Sequence, residues 1–487
     1  MITKSEFCLT LIVLVSLFVS CNTNQTDPPE PVLPVPDEKQ LAWHELEQYA
    51  FIHFTTNTFT GKEWGYGDES PDVFNPSELD ARQWARVIKE AGMKGIILTC
   101  KHHDGFCLWP SEYTEHTVAN SPYKNGEGDV VREVSEACKE YGLKFGIYLS
   151  PWDRNRADYG KPSYIDYYRN QLTELFTEYG PVFEMWFDGA NGGDGYYGGA
   201  RETRKIDQTT YYDWPTTLDM VRELEPSVIF FSQDGPDVRW CGNEKGYVGK
   251  TNWNTFDTVP GFFDKDREEA EKDLNTGMIN GDVWMPAEVD VSIRPGWFYH
   301  EEEDSLVKSP EELFDIYLTS VGRGSNLLLN IPPDRRGLLH ENDVQALQGW
   351  KKMLDEAFGE NLAENASVKA SDVRGNAEEY APENMLDDDK STYWSTDDEV
   401  TSASFEIDLK EKQELNFLVI QEYIRLGQRV KSFQVEVWKD GEWQSVASPT
   451  TIGYKRIVKL NGEESDKLRV TIAGSKACPV ISAVEVY

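Results

Sequence analysis

Between residues 38 and 358, short apolar runs alternate with amphipathic runs of helical period, and this alternation restricts the fold more than any other feature of the chain. The apolar runs are "AFIHFT" (50–55), "MKGIILTCK" (93–101), "LKFGIYLSP" (143–151), "VFEMWFDG" (182–189), "SVIFFSQ" (227–233) and "NLLLNIPP" (326–333). The helical runs include "LDARQWARVIKEAG", "VREVSEACKEYG", "YIDYYRNQLTELFTEYG" and "LDMVRELEP". Strands apolar throughout are buried on both faces, as parallel strands under helices are, and several helices end in Gly before the next strand begins. Repeated βα units, with no Gly-rich phosphate loop after the first strand, predict a (β/α)8-like TIM-type barrel rather than an open doubly wound sheet.

In such a barrel, chemistry gathers at the C-terminal ends of the strands. His53 ends the first run, "KHHDGF" the second, Tyr148 and Trp152 stand at the third, and Asp188 of "MWFDGA" ends the fourth. An Asp-Gly pair is ordinary turn chemistry. A carboxylate surrounded by His, Trp and Tyr from three other strand ends is better explained as part of a site. The equipment matches cleavage of a sugar acetal, which needs one carboxyl to attack or activate water and another to protonate the leaving oxygen. Candidate partners for Asp188 are Glu63 in "GKEWG", Glu244 in "WCGNEKG" and Glu288 in "PAEVDVSIRPGWFYH". Glu244 is placed after the fifth apolar run. His102, His103 and Asp104 read alternatively as metal ligands, but adjacent residues converge poorly on one ion. Arg239 and Arg294 are both candidates for the pocket, and Trp64, Trp240 and Trp297 for its outer side.

After "FGENLAENASV" the texture changes. Residues 362–487 offer short alternating runs ("ASFEIDL", "SFQVEVW", "RIVKL", "KLRVTIAG") and a "DGEW" hairpin turn, which predict an all-β sandwich. Before the barrel, Lys4 precedes an apolar run from Leu9 to Val19 that is too short to span a bilayer as a mature helix and reads as a secretory signal. Residues 28–36 are Pro-rich and predict a stiff tether over 21–37. Five cysteines outside the leader (Cys100, Cys107, Cys138, Cys241, Cys478) have no CxxC spacing, so neither a disulfide framework nor a zinc site follows. Against 48 Lys and Arg stand 85 Asp and Glu, a formal charge of -37, which excludes nucleic acid and anionic membrane surfaces as partners and favours a neutral ligand.

The set "HFTTNTF", "KEWG", "KHHDGF", "GIYLSPW", "WFDGA" and "WCGNEKG", in that order along the barrel, closely resembles the α-L-fucosidases of glycoside hydrolase family 29. The resemblance implies a retaining mechanism, with Asp188 forming a covalent fucosyl-enzyme and with no cofactor for catalysis. It also implies a fucose pocket made by His53, Glu63, His102, His103, Tyr148 and Trp186. "KEWG" and "WCGNEKG" look like the subfamily that cleaves α-1,3- and α-1,4-linked fucose from Lewis-type glycans, with Glu244 as acid/base. Two other functions compete: a non-catalytic glycan-binding surface lipoprotein on an inactive barrel, and a barrel glycosidase for another sugar. "ENMLDDDKSTYWST" and "ISAVEVY" resemble a discoidin-like, coagulation-factor type C domain. That likeness implies a jelly roll with a structural calcium near Asp387, Asp389, Thr392 and Glu485, whereas a solvated turn explains the acidic run equally. "FVSC" resembles a lipobox and implies cleavage after residue 20, lipidation of Cys21, and a lipid-anchored protein in the periplasm or at a bacterial cell surface.

Overall fold

The computed structural model describes residues 26–232, 235–258 and 267–487. Eight parallel strands close into a barrel: β1 (Gln48–Ile52), β2 (Gly95–Lys101), β3 (Lys144–Leu149), β4 (Glu184–Trp186), β5 (Ile229–Ser232), β6 (Val238–Trp240), β7 (Ala287–Ser292) and β8 (Asn326–Asn330). Each pairs with the next in chain order, and β8 returns to β1 with Phe51 opposite Asn330. Helices over Ala81–Glu90, Val130–Tyr141, Pro162–Glu178, Trp214–Leu224, Pro310–Thr319 and Glu341–Ala357 pack outside. Their ends follow local chemistry. Asp80 and Asp129 cap two N-termini, accepting backbone N–H groups of the first turn, and Gly142 closes a C-terminus in the left-handed region at φ 65°.

Two apolar layers result. One lies between strands and helices; the other fills the barrel and includes Tyr49, Phe51, Ile97, Tyr148, Trp186, Phe231 and Leu328. Strands β6 and β7 carry no continuous apolar run. β7, "AEVDVS", sends Ala287, Val289 and Val291 to the outer layer and turns Glu288, Asp290 and Ser292 the other way, so every residue is buried although half are polar. With β6 present, Glu244 follows the sixth strand and not the fifth.

The C-terminal domain is a seven-stranded antiparallel sheet around its own core. "RIVKL" and "KLRVTIAG" belong to one strand, Arg456–Ser475, which pairs with Ala403–Glu422 through register shifts. The "DGEW" turn is as expected: Asp440 (φ 53°) and Gly441 (φ 86°) join strands that pair Lys439 with Glu442 and Trp438 with Trp443. The domain packs tightly on the barrel, with Phe358 against Phe417 and Tyr487, and Lys459 paired with Asp315 at 3.0 Å.

The Pro-rich segment is not a free tether from residue 26 onward. It lies along the C-terminal domain: Arg374 donates to the Asp27 carbonyl (2.7 Å), Arg429 to that of Glu30 (2.6 Å), and the Val32 N–H to Leu426 (2.9 Å). Extended proline-rich backbone has no internal hydrogen bonds, so its carbonyls are open to such donors. Cys21 and the leader lie outside the described residues. The oxygens expected around calcium are engaged within the protein: Asp387 accepts from Thr392 (2.8 Å), Asp389 from Ser391 (2.6 Å), and Glu485 from Tyr487 (2.9 Å). Among the described residues no three His, Cys, Asp or Glu side chains are grouped to hold a metal. The five described cysteines are free and buried.

Candidate active site

At the C-terminal ends of the strands opens a pocket of about 810 Å³, far larger than one sugar ring, and it brings together most of the residues singled out in the sequence. His53, Glu63, Trp64, His102, His103, Trp186, Asp188, Glu244 and Trp297 line it, and Tyr148 reaches it through Asp188.

Asp188 sits just past β4. Its Oδ2 accepts the Tyr148 hydroxyl at 2.9 Å and lies 3.7 Å from His103 Nε2, while Oδ1 accepts the Ala190 N–H at 2.6 Å. The hydroxyl and the amide, one on each oxygen, fix the plane of the carboxyl group. The Tyr148 phenol is buried beside this group, and burial first, then Asp188, pushes its pKa up, so it stays a donor.

The hydrogen-bond network sets two histidine tautomers. Ser150 has one hydroxyl proton, which goes to the Trp152 carbonyl (2.7 Å), so His103 Nδ1 must carry the proton in its 2.7 Å contact with Ser150 Oγ. Asn330 spends its amide N–H groups on Ser292 and Trp297, so its oxygen accepts from His53 Nδ1 at 2.8 Å. Both rings therefore keep an unprotonated Nε2. Burial lowers the pKa of His53 to about 3 and that of His102 well below its usual value, and it lowers His103 against the pull of Asp188. Neutral imidazoles suit sugar hydroxyls, which both donate and accept. His102 Nδ1 is buried with no hydrogen-bond partner.

Of the carboxyls that line the pocket, three are engaged elsewhere. Glu63 accepts the backbone N–H of Trp297 (2.8 Å) and of Phe298 (3.3 Å) and contacts His300 Nε2 at 2.6 Å, which pins the 296–300 loop over the pocket. Glu271 pairs with Arg267 at 2.6 Å. Asp290 accepts from the Trp240 indole at 2.8 Å, and burial, with Glu244 and Glu288 nearby, drives its pKa well above the carboxylate range. Glu244 remains, held among the described residues by the Trp297 indole N–H at 3.3 Å. Burial raises its pKa; the Trp297 contact lowers it, and the charges of Asp188 and Glu63 raise it further.

Glu288 is not in the pocket. It lies inside the barrel beneath it, accepting from Trp186 Nε1 at 2.9 Å and meeting the Tyr49 hydroxyl, which also touches Glu184 at 3.0 Å. One hydroxyl proton cannot serve two carboxylates, so one of the pair carries its own, and burial raises both. Arg239 and Arg294 are likewise absent from the lining. Arg239 is fully buried behind the pocket and donates to the carbonyls of Leu274 and Trp253 and to Asn252. Arg294 is buried against Asp343 (3.0 Å) and Asp304 (2.9 Å). Asp104, which follows the histidine pair, accepts from Thr55, Thr56 and the Phe106 N–H.

The sequence did not flag the apolar floor of Phe51 and Phe231, the latter stacked 4.2 Å from Trp186, nor the outer wall from the helix Arg267–Thr276 with Ala270, Glu271 and Leu274. The alternating polar residues of β7 were a signal for Asp290. Trp64, 53% exposed, stands edge-on to His103 and Trp152 at the rim.

A family model of α-L-fucosidases matches residues 33–357, and a model of the F5/8 type C domain matches residues 367–481. α-L-Fucosidase 1 of Arabidopsis thaliana is 41% identical over 464 residues, covering 94% of this chain and 88% of its own. A solved glycoside hydrolase 29 family member from an unknown rumen bacterium has a TM-score of 0.84 at 48% identity, over 94% of this chain and 78% of that one. The Ruminococcus gnavus GH29 fucosidase solved in complex with fucose has a TM-score of 0.84 at 33% identity, over 96% and 97% of the two chains. The chain belongs to the α-L-fucosidases of glycoside hydrolase family 29 and carries an F5/8 type C domain behind its barrel.

Proposed function

We propose that the enzyme is a retaining exo-α-L-fucosidase acting on terminal α-1,3- and α-1,4-linked fucose of branched, Lewis-type glycans, with Asp188 as nucleophile and Glu244 as acid/base. The observation that carries this reading is the division of labour between the two carboxyls. Asp188 is oriented at the strand end by the Tyr148 hydroxyl and the Ala190 N–H, while Glu244 is pushed toward its protonated form in the same pocket. A nucleophile must be held in one orientation and an acid catalyst must hold a proton, so a carboxyl fixed by two donors and a second whose burial favours its acid form fit the two roles.

His53, His102 and His103 meet the sugar hydroxyls, and Phe51, Trp186 and Phe231 give the C5 methyl an apolar surface. Room beyond one ring, bounded by Trp240, Trp297 and the helix 267–276, receives the branched remainder. Proton NMR of the first product formed tests the stereochemistry: retention gives α-fucose before mutarotation, and β-fucose would overturn the covalent route. Comparing a Lewis trisaccharide with 2′-fucosyllactose tests linkage, and the first is expected to be hydrolysed at least about tenfold faster, a discrimination within reach of one extended subsite.

The leader and "FVSC" support attachment by lipid at Cys21, and the docked proline segment leaves only residues 22–25 between that thiol and the C-terminal domain. Cys21→Ser is expected to move the protein from the membrane to the soluble fraction with turnover unchanged; a wild-type protein found wholly soluble removes the anchor.

A further inference from the structure

We infer that the C-terminal domain is a positioning element for the acid/base loop, acting through the backbone of residues 252–255 and the helix Arg267–Thr276. This inference rests on the assignment of Glu244 as acid/base.

The contacts form an unbroken series. Gln428, buried on the face of the C-terminal domain that meets the barrel, clamps two backbone groups of one segment: its Oε1 accepts the Asn254 N–H at 2.7 Å and its Nε2 donates to the Asn252 carbonyl at 3.0 Å. Thr451 accepts the Asn252 N–H at 3.0 Å. The two loops bearing Gln428 and Thr451 are themselves tied together by Glu422, which accepts the N–H groups of Arg429, Val430 and Gly453 at 2.7, 2.8 and 2.7 Å. The clamped segment then holds the C-terminal end of the helix: the Trp253 N–H donates to the Thr276 carbonyl (2.8 Å), and the Met278 N–H to Thr255 (2.9 Å). Buried Arg239 bridges the same two parts, donating to the Leu274 carbonyl at 3.0 Å and the Trp253 carbonyl at 3.1 Å.

The helix in turn fixes the loop that carries Glu244. Asn275 Nδ2 donates to the carbonyls of Cys241 (2.9 Å) and Tyr247 (3.2 Å), one on each side of Glu244, and its own carbonyl accepts the Gly249 N–H (3.0 Å). Gly242, at φ 81°, lies so close to the helix that a Cβ there would stand 2.5 Å from the Glu271 carbonyl. Other anchors share the loop: Asn243 accepts the Lys245 N–H (3.0 Å) and donates to the Tyr247 carbonyl (3.1 Å), and Thr319 meets the Gly246 carbonyl and the Val248 N–H (both 3.1 Å). Asn275, however, spans both sides of Glu244, whose carboxyl, among the described residues, meets the Trp297 indole. A general acid displaced by about an ångström loses much of its rate, because proton transfer needs the leaving oxygen within hydrogen-bond reach.

The full-length variants Thr451→Val and Gln428→Met remove these clamps at the domain interface without touching the pocket. With an aryl α-L-fucoside whose phenolate leaves unaided, formation of the fucosyl-enzyme is expected to proceed at the wild-type rate. With a fucosylated trisaccharide, which needs the acid, kcat is expected to fall about tenfold, and Thr451→Ser restores it. In a Glu244→Ala background the same substitutions add no further loss, as expected when both act through one group. Equal losses on both substrates, no loss on the trisaccharide in a folded variant, or additive losses in the Glu244→Ala background would each overturn the inference. The underlying assignment fails separately: Glu244→Ala with normal trisaccharide turnover removes both, whereas a leaving-group effect in Glu244→Ala without one in the interface variants removes only the positioning role.

Discussion

Asp188→Asn is expected to lower kcat for α-L-fucosides by about four orders of magnitude or more while the protein stays folded. An amide oxygen is too weak a nucleophile to form a glycosyl ester, and no second carboxylate is placed to substitute. Glu63 is committed to the 296–300 loop, and Asp290 is occupied by the Trp240 indole, with burial raising its pKa. The replacement is nearly isosteric: Asn Oδ1 still accepts the Ala190 N–H, so the strand end keeps its turn. Substrate affinity, carried by the histidines and the apolar floor, should change far less than kcat, and a 2-fluoro-fucosyl reagent should label the Asp188 peptide in wild type and nothing in the variant. Residual activity within a hundredfold of wild type, or a label on another peptide, would move the nucleophile elsewhere.

What the sequence disclosed depended on whether function coincided with a periodic signal. His53, the His102–His103 pair, Tyr148 and Asp188 follow or end apolar strands, and a parallel barrel brings all such ends to one face; their convergence was therefore readable from the order of runs alone. Glu288 and Asp290 lie on a strand whose alternation puts both on one face, but the alternation does not say which end of β7 opens to the pocket. Asp290 lines it, and Glu288, two residues earlier, is buried below Trp186. Arg239 and Arg294 looked equally suited to a ligand, yet each satisfies backbone or carboxylate partners brought from distant parts of the chain. Such partners are set by tertiary packing and leave no local trace. The helix 267–276 has the same character: its weak periodicity gives no hint that one side walls a pocket and its end holds a loop 30 residues earlier.

Glu244→Ala is expected to divide substrates by leaving group. For oligosaccharides, whose sugar alkoxide cannot depart without a proton, kcat/KM should fall about a thousandfold. For an aryl fucoside with an acidic phenol, formation of the fucosyl-enzyme needs no acid and should be spared, leaving its hydrolysis slow because no base activates water. Azide, which attacks without deprotonation, should then restore turnover and yield fucosyl azide. The same group sets the pH profile. Burial, helped by Asp188 and Glu63, raises the Glu244 pKa above the ordinary carboxylate value, so the acid form required for oligosaccharide cleavage persists to higher pH and activity is lost as pH climbs through that raised value. In Glu244→Gln this alkaline limb should vanish. Glu288 provides the control: buried under Trp186 and sharing a proton with Glu184 through Tyr49, it has no route to a leaving oxygen. Glu288→Gln should therefore alter stability and fucose affinity together, with no leaving-group dependence and no azide rescue. If those two signatures appeared in a Glu288 variant and not in Glu244→Ala, the proton donor would have to reach the pocket from inside the barrel, and the 241–249 loop would no longer be the carrier of the acid.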